Sequence, residues 1–471
     1  MTMRSTANLM LGVAMGTALG YMLYPNIEGN NLKHNFIKNM NVQSINIKGF
    51  WLRKLNHFYF DKFTNSVTGG FYPSAKLPSM NNLILRESYL SSVSFKDKIP
   101  NWVAEKISEK SCSGKANRND CIFQVDPEVP LIWSAENKDY VASGYSRGHM
   151  ASAGQHKETA TAQSDTFYLS GNILPQDLSN NGGDWYRLEL ISRELTKYYQ
   201  DVYVVSGPLF APSYMRSQHF KDLAKNLENI KKEDPPKDAL GQICVVHKKD
   251  VLDKARELGD EKEIDPKFIV TSDLNDTSID SVTYQVIGDK LVSVPTHLFK
   301  IILAVHPKKI QDNDLPPIAF GSFVMNNKPE DKRYLIQDYM VPLKSIEIAT
   351  GLDFSGLKEF AIDYLKTNLS RRDFKKLLNE NIDQVENIYS ICNVKDTLKH
   401  GKDAQSICID EDSKRVWSWR YLGYIKLSNT KQELEDVWST IKKRGYDKEN
   451  FFLRKEYVNK CKSLGIEPEE F

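Results

Sequence analysis

The order of apolar and polar positions predicts a chain that contains both strands and helices. From Asp184 to Gln200, apolar side chains recur every three or four residues, as on an amphipathic helix. Residues 98–108 carry a proline near their start, and we interpret them as a short helix. Short apolar runs bounded by turn residues predict strands; these are Phe167–Leu169, Asp201–Gly207, Leu298–Val305 and a hairpin from Thr283 to Val294 that turns at Gly288-Asp289.

The amino-terminal segment has a pattern of its own. Leu9–Tyr24 is an uncharged stretch, slightly shorter than the ~20 residues that span a bilayer. Acidic residues are absent before Glu28, which suits mitochondrial import. We therefore predict a membrane anchor or mitochondrial targeting segment in residues 1–25, followed by a polar connector in residues 26–75.

The remainder divides into a main body, residues 76–354, and a helical C-terminal domain, residues 355–471. Within the main body, residues 213–278 are rich in charge and predict a solvated insertion with some helix. The C-terminal domain carries basic runs at Arg371–Lys376 and Lys442–Arg444. Such runs are typical of a solvated helix face, and a lobe that grips a phosphate backbone is the alternative.

Composition and charge narrow the class only a little. The 471 residues are 41% hydrophobic and 26% charged, which excludes a disordered chain. Lys and Arg number 63 against 61 Asp and Glu, so the net charge of +2 neither indicates nor excludes a local basic groove for nucleic acid. The six cysteines show no zinc-binding spacing and are interpreted as scattered thiols, with a Cys112–Cys121 disulfide as an alternative.

One group of polar residues suits phosphodiester hydrolysis. A neutral His149 can accept a proton from water, and Gly148 before it allows a tight turn at the end of a strand. Asn181, Glu189 and Arg193 are spaced by multiples of four, so a helix that extended back to Asn181 would align them on one face. They would then supply a metal ligand, a holder of the metal's water ligands and a phosphate clamp.

A structural interpretation of the same residues is more ordinary. A single histidine is more often structural than catalytic, and Glu189 with Arg193 could be an ion pair between positions i and i+4 of a helix. Spacing alone therefore does not establish a catalytic site.

The pattern as a whole resembles a known family. Ser146-Arg-Gly-His149, then Asn172-x-x-Pro-Gln, Asn181, Trp185 and Glu189, is similar to the DNA/RNA non-specific nuclease family with the ββα-metal fold. The closest resemblance is to the mitochondrial endonuclease G group, and within it to the exonuclease G-like branch. The resemblance covers residues 85–210 and 280–354, and it rests further on Asp139–Ala151, Tyr284–Gly288 and Val294–Leu298.

The resemblance implies a fold and a role for each matched residue. The expected fold is α+β, with a central antiparallel sheet flanked by helices. His149 resembles the general base, and Asn181 the direct protein ligand of one Mg²⁺ or Mn²⁺ ion per active site. Glu189 resembles the residue that holds the water ligands of that ion. The remaining matched positions are Arg147 and Arg193, which resemble phosphate contacts, and Asn172, which resembles a supporting residue near the scissile phosphate.

Two positions depart from the family pattern. Ser146 stands where most members have aspartate, so it lacks a negative charge and this puts substrate preference in doubt. Gly171 is an extra residue before Asn172, and a local bulge is needed to absorb it.

The resemblance also implies an activity and partners. We expect DNA, and RNA as a second substrate, to be cut to 5′-phosphate and 3′-hydroxyl ends by a homodimer at the mitochondrial inner membrane. A 5′→3′ exonuclease with some endonuclease activity is the first expectation. The alternatives are a general endonuclease of the endonuclease G type, an inactive nucleic-acid-binding protein, and a secreted nuclease glycosylated at Asn275 or Asn368.

Overall fold

The computed structural model describes residues 68–74, 76–232, 282–309, 315–331, 333–379, 385–396, 405–408, 413–448 and 450–469. The predicted anchor Leu9–Tyr24, most of the connector and residues 233–278 of the insertion lie outside this set. Within it, no helix is long and apolar enough to cross a membrane. The predicted division between residues 354 and 355 stays a prediction.

A six-stranded antiparallel sheet forms the centre of the described chain. Its strands lie in the order β1-β2-β3-β8-β11-β12, and every neighbouring pair is antiparallel. Their bounds are β1 Leu83–Leu85, β2 Leu90–Ser94, β3 Ile99–Ile107, β8 Tyr199–Leu209, β11 His297–Pro307 and β12 Ile318–Asn326. The expected central antiparallel sheet is therefore confirmed, as are the strands predicted at Asp201–Gly207 and Leu298–Val305.

A second, four-stranded sheet lies beside it in the order β4-β6-β7-β5. Its strands are β4 Gln124–Val125, β5 Ser146–His149, β6 Tyr168–Leu169 and β7 Ile173–Gln176. The pair β5/β7 is antiparallel, with His149 opposite Ile173. Two short hairpins complete the strands: β9 Val286–Ile287 with β10 Val292–Ser293, as predicted, and β13 Lys395–Asp396 with β14 Gln405–Ser406.

Helices cover both faces of the central sheet and continue along the described chain as far as Ser463. The α-helices are α1 Glu109–Ser113, α2 Asn137–Tyr140, α3 Ala160–Asp165, α4 Leu178–Gly182, α5 Asp184–Tyr198, α6 Ser217–Lys232, α7 Leu343–Thr350, α8 Ser355–Asn368, α9 Arg371–Asn379, α10 Val385–Ile388, α11 Lys414–Leu427, α12 Lys431–Lys443 and α13 Phe451–Ser463. Short 3₁₀ helices occur at Arg118–Asp120, Leu131–Trp133, Ala153–Gln155, Ile336–Tyr339 and Ile391–Asn393.

The two faces of the sheet support two separate cores. Side chains alternate along β11, so that Leu298 and Ile302 pack with α5 while Phe299 and Ile301 pack with Leu357 of α8. Helices α11, α12 and α13 form a third cluster around Trp438. The α5 face of the sheet is the one that carries the candidate site.

Residues 98–108 form a strand, so the helix predicted there is wrong. β3 lies between β2 and β8, where Trp102, Val103 and Ala104 are all buried. A strand buried on both faces has a continuous apolar run instead of an alternating one, and its pattern does not distinguish it from a helix. Pro100 is accommodated because the register of β2 against β3 is shifted beside it.

Two further expectations need correction. Cys392 and Cys408 form a disulfide, whereas Cys112 and Cys121 are free thiols, so neither scattered thiols nor a Cys112–Cys121 pair describes the chain. The first part of the insertion is also packed, because Phe220 of α6 is fully buried in the core that contains α8. This apolar contact anchors α6 to the body.

Candidate active site

His149 is the last residue of β5 and is held from two sides. The indole Nε1 of Trp185 donates a hydrogen bond to its backbone oxygen at 3.3 Å. The rings of Phe123 and Phe167 lie 5.5 and 4.8 Å from the imidazole, centroid to centroid. Burial, with a contribution from the Arg118 charge, lowers the pKa of His149 to about 3. The imidazole is therefore neutral at physiological pH and can accept a proton.

We expect this histidine to stay neutral from pH 8 down to pH 5 in the metal-free protein. A pKa of about 3 leaves almost no imidazolium in that range. Ring ¹⁵N chemical shifts of histidine-labelled protein measure the titration, and a His149→Gln variant assigns the signal. A His149 signal that titrates with a midpoint near 6.5, the ordinary value, would contradict the burial described here.

Gly148 does not form the turn expected of it. It lies inside β5, opposite Leu174 of β7. A Cβ atom at this position would come within 2.1 Å of Oε1 of Gln176. The glycine thus lets the Gln176 side chain cross the strand directly beside His149.

Asn181 reaches the same place from α4. Its Nδ2 donates to Oγ of Ser146 at 2.9 Å, and that hydroxyl donates to the backbone oxygen of Gln176 at 2.8 Å. Because the amide nitrogen is bound, the side-chain oxygen is the atom left to act as a ligand. Gly171 lies in the turn between β6 and β7, outside both strands.

The predicted continuous helix through Asn181 is interrupted. α4 ends at Gly182 and α5 begins at Asp184, with Gly183 between them. Asn181 and Glu189 nevertheless face the same cavity, whereas Trp185 is fully buried beneath it. The two polar residues thus line one cavity although the helix that was expected to align them has a break.

The Glu189 carboxyl interacts electrostatically with other charged groups in the interior. Burial raises the pKa of its carboxyl, and the Lys300 ammonium opposes this increase. Lys300 is itself buried in β11, where Nζ donates to Oγ of Ser206 at 2.7 Å and lies 4.4 Å from the centre of the Trp185 ring. Lys300 is thus a buried cation that compensates the Glu189 charge.

Arg147 and Arg193 are held in the wall of the cavity by different contacts. Arg147 is fixed by Asn137, to which Nε and Nη2 donate at 2.8 and 2.9 Å. Nη2 of Arg193 lies 2.8 Å from the point where a Cβ atom on Gly154 would be, so a side chain at position 154 would displace the guanidinium. Both arginines line the cavity.

Asn172 has a different position. It is fully buried, and its amide oxygen accepts from the backbone N–H of Ala151 at 2.7 Å. Its Nδ2 donates to the backbone oxygens of Ala151 and Thr166 at 2.9 and 2.7 Å. The side chain therefore braces the turn that follows His149 and does not reach the cavity itself.

The cavity has a volume of about 910 Å³ and a strongly positive lining. Ser146, Arg147, His149, Asn181, Glu189 and Arg193 all contribute to its wall. Six cationic side chains line the cavity, and Glu189 is the one carboxylate in its lining, so the excess is five positive charges. The cationic residues are Lys115, Arg118, Arg147, Lys157, Arg193 and Arg415. Such a lining attracts a polyanion, although the chain as a whole is nearly neutral.

Sequence reasoning missed several residues of this wall. Arg415, Trp419 and Phe452 come from α11 and α13, more than 200 residues after Asn181. Lys115 and Arg118 share a short polar segment, which is the only local sign of their role. The C-terminal helices therefore complete one side of the candidate site, which no spacing in the sequence indicates.

The donors present suit a hydrated hard cation. In the described part of the chain, no group of three or more His, Cys, Asp or Glu side chains is arranged to hold a metal ion. A Mg²⁺ or Mn²⁺ ion keeps most of its waters and needs only one or two protein oxygens. The Asn181 oxygen can provide one such ligand and the Glu189 carboxylate in the same cavity can hold the ion's waters, whereas a zinc site would need more nitrogen or sulfur ligands.

An antiparallel pair that ends in a buried histidine, followed by a helix whose carboxylate lines a cationic cavity, is the arrangement expected of the ββα-metal fold. The chain belongs to the DNA/RNA non-specific endonuclease family, whose model matches residues 67–359.

Individual relatives agree with this assignment. The human protein "Nuclease EXOG, mitochondrial" is 36% identical over 257 residues, which are 55% of this chain and 52% of that protein. The bovine "Endonuclease G, mitochondrial" is 32% identical over 278 residues, 59% of this chain and 70% of that protein. The chain thus spans about half the length of the human relative. A solved EndoG/EndoGI complex matches 59% of the chain at 27% identity and a TM-score of 0.41.

Proposed function

We propose that this protein is a metal-dependent nuclease that hydrolyses the phosphodiester bonds of DNA, and of RNA, to 5′-phosphate and 3′-hydroxyl ends. The observation that carries the proposal is that one cationic cavity contains His149, Asn181 and Glu189 together. The family assignment and the mitochondrial nucleases among the relatives support it.

His149 is the proposed general base. It takes a proton from the attacking water. Its lowered pKa keeps the imidazole unprotonated at neutral pH, so the acceptor position is free. Within the described residues, Nε2 of His149 is buried without a hydrogen-bond partner, so no neighbouring donor or acceptor competes for it. The proton leaves the cavity when the imidazolium releases it to solvent after cleavage.

The other site residues orient substrate and cation. Arg147 and Arg193 contact the phosphate, and the fixed position of Arg147 against Asn137 favours one phosphate geometry. Asn181 would ligate one Mg²⁺ or Mn²⁺ ion and Glu189 would hold the ion's water ligands; when bound, the ion supplies the positive charge that stabilises the pentavalent phosphate and the leaving oxygen. Ser146 orients Asn181 through its hydroxyl, a task that needs no negative charge.

A 5′→3′ exonuclease with some endonuclease activity is our proposal for the mode of cleavage. Its support is the wall of the cavity built by Arg415, Trp419 and Phe452 from the C-terminal helices. An aromatic wall of this kind stacks on a terminal base and obstructs a continuous duplex. The first alternative is a general endonuclease, and the second is an inactive nucleic-acid-binding protein.

The deciding experiment uses the full chain with Mg²⁺ on two substrates, linear duplex DNA labelled at its 5′ end and closed circular DNA. Rapid release of short 5′ products with an intact circle supports the exonuclease. Nicking and linearisation of the circle would favour the general endonuclease. Binding without cleavage that depends on metal and on His149 would leave only the inactive binding protein.

Phe452→Ala is expected to raise circle nicking relative to end release about fivefold or more. Stacking of a base on an aromatic side chain contributes about 1–3 kcal/mol, and this variant removes the ring from the cavity wall. Phe451→Ala is the matched control, because Phe451 is the neighbouring exposed ring and does not line the cavity. Equal ratios in the two variants would refute the role of the wall. Deletion of residues 355–471 is a poorer test, because Leu357 and Leu365 are core residues.

We also propose a mitochondrial location, association with the inner membrane through Leu9–Tyr24, and a homodimer. The location is supported by the names of the relatives, which are mitochondrial nucleases. The membrane association rests on the apolar sequence of residues 9–24. Fractionation of mitochondria from cells that express the tagged chain tests the first two, and light scattering of the purified protein tests the dimer.

A further inference from the structure

Helix α4, which carries Asn181, is too short to be stable alone. It has five residues, whereas an isolated helix needs about 12–15 residues to be even marginally stable in water. Its geometry must therefore come from what it packs against. Helix α11 of the C-terminal region crosses it and contacts it at the residues before, within and after α4.

The first contact is at the amino end of α4. Oδ1 of Asp177 accepts from the backbone N–H groups of Ser179 and Asn180 at 2.8 and 3.1 Å, which caps the helix. Oδ2 of the same carboxylate accepts from Nζ of Lys426 at 2.7 Å. Asp177 is almost fully buried, and Lys426 is mostly so. Lys426 thus fixes the carboxylate that starts α4.

The second contact is just beyond the other end of α4. Oδ1 of Asp184, the first residue of α5, accepts from Nη2 of Arg420 at 3.1 Å and from Nη1 of Arg187 at 2.8 Å. Its Oδ2 accepts from the hydroxyl of Tyr339 at 2.6 Å. Burial alone raises the pKa of Asp184, but the two guanidinium groups and this hydroxyl lower it overall. Arg420 therefore ties α11 to a carboxylate that is held ionised.

The third contact is at the glycines between these carboxylates. A Cβ atom on Gly182 would lie 2.4 Å from the Trp419 indole, so the ring rests directly on the backbone next to Asn181. Asn181 is thereby bracketed by Lys426, Trp419 and Arg420 of a single helix.

We propose that Lys426 and Arg420 are positioning residues that set the place of Asn181, which makes α11 an obligatory part of the metal site as well as a wall of the substrate cavity. The proposal rests on the proposed role of Asn181 as metal ligand. Removing a partner that orients a ligand lowers metal affinity about 10- to 100-fold in other sites. Lys426 and Arg420 of α11 are such partners. Their ion pairs with Asp177 and Asp184 act on Asn181 through the backbone of α4.

The test uses the full chain without DNA and measures two quantities. Mn²⁺ binding is followed by electron paramagnetic resonance, and hydrogen–deuterium exchange is followed in peptides that cover residues 178–183. Lys426→Met is expected to raise the Mn²⁺ dissociation constant about tenfold and to speed amide exchange in these peptides, while Lys426→Arg restores both. Lys442→Met is the matched control, because Lys442 forms an ion pair with Glu469 elsewhere in the same helical region.

The two readouts separate the possible failures. Unchanged Mn²⁺ affinity and unchanged exchange in a folded Lys426→Met protein would overturn the proposal, as would equal effects in Lys442→Met. If the unaltered protein binds no Mn²⁺, the metal role of Asn181 fails, yet faster exchange in residues 178–183 still shows that α11 holds α4. If Lys426→Met does not fold, Arg420→Lys, which keeps the charge and shortens the hydrogen-bonding group, is measured in the same way. Wild-type values in that variant overturn the proposal.

Discussion

His149→Ala is expected to lower the rate of DNA cleavage by about 10²- to 10⁴-fold, the usual contribution of a general base, while DNA binding stays within a few-fold of the unaltered protein. The reason is that the imidazole lies at the end of β5 and contributes a proton acceptor and no charge. The six cations that attract the polyanion remain in place in this variant. Single-turnover cleavage at saturating Mg²⁺, together with an equilibrium binding assay in EDTA, separates the two effects.

A second histidine variant serves as the control for this expectation. His306→Ala is a matched control, because His306 is a half-exposed histidine on β11 whose Nδ1 lies 3.0 Å from Oδ2 of Asp201. It is expected to cut at the unaltered rate. Cleavage by His149→Ala at a rate near that of His306→Ala would show that another group accepts the proton.

Asn181→Ala is expected to produce the second largest effect, a rise of about 10- to 100-fold in the Mg²⁺ concentration needed for half-maximal cleavage. Its side-chain oxygen is the proposed ligand, and its nitrogen is already bound to Ser146. Activity at saturating Mg²⁺ is expected to recover in part, since Glu189 still contributes a carboxylate to the cavity. Metal titrations of cleavage and of Mn²⁺ binding measure the change.

Ser146→Ala distinguishes ligand loss from ligand disorder. It leaves the Asn181 amide in the protein but removes the hydroxyl that accepts from it. A smaller increase in Mg²⁺ requirement than in Asn181→Ala is therefore expected. If Asn181→Ala has the same Mg²⁺ requirement as the unaltered protein, Asn181 is not a metal ligand.

The arrangement explains how a nearly neutral chain can hold a polyanion. The net charge of the sequence is +2, yet the cavity lining alone has an excess of five positive charges. These cations come from separate parts of the chain, from Lys115 to Arg415, and the fold concentrates them. Total charge reports solubility, whereas local potential determines which ligand is attracted.

The sequence by itself determined the elements with strong periodicity and the polar residues attached to them. The helix from Asp184 and the strands around Asp201 and Leu298 were predictable because each shows one apolar pattern over many residues. Likewise His149, Asn181 and Glu189 were identified by their spacing and by a family resemblance, and the fold brings them to one cavity.

Only the tertiary structure decided the rest. Residues 99–107 became a strand because β2 and β8 pair with its two edges and the two cores bury its two faces, which no local pattern indicates. The partnership of Cys392 with Cys408 required the fold that brings them within 5.2 Å, Cα to Cα. The contribution of α11 to the site was also hidden, because Lys426 meets Asp177 across 249 residues of sequence. Periodicity is a property of neighbouring residues, whereas such contacts depend on how distant elements pack.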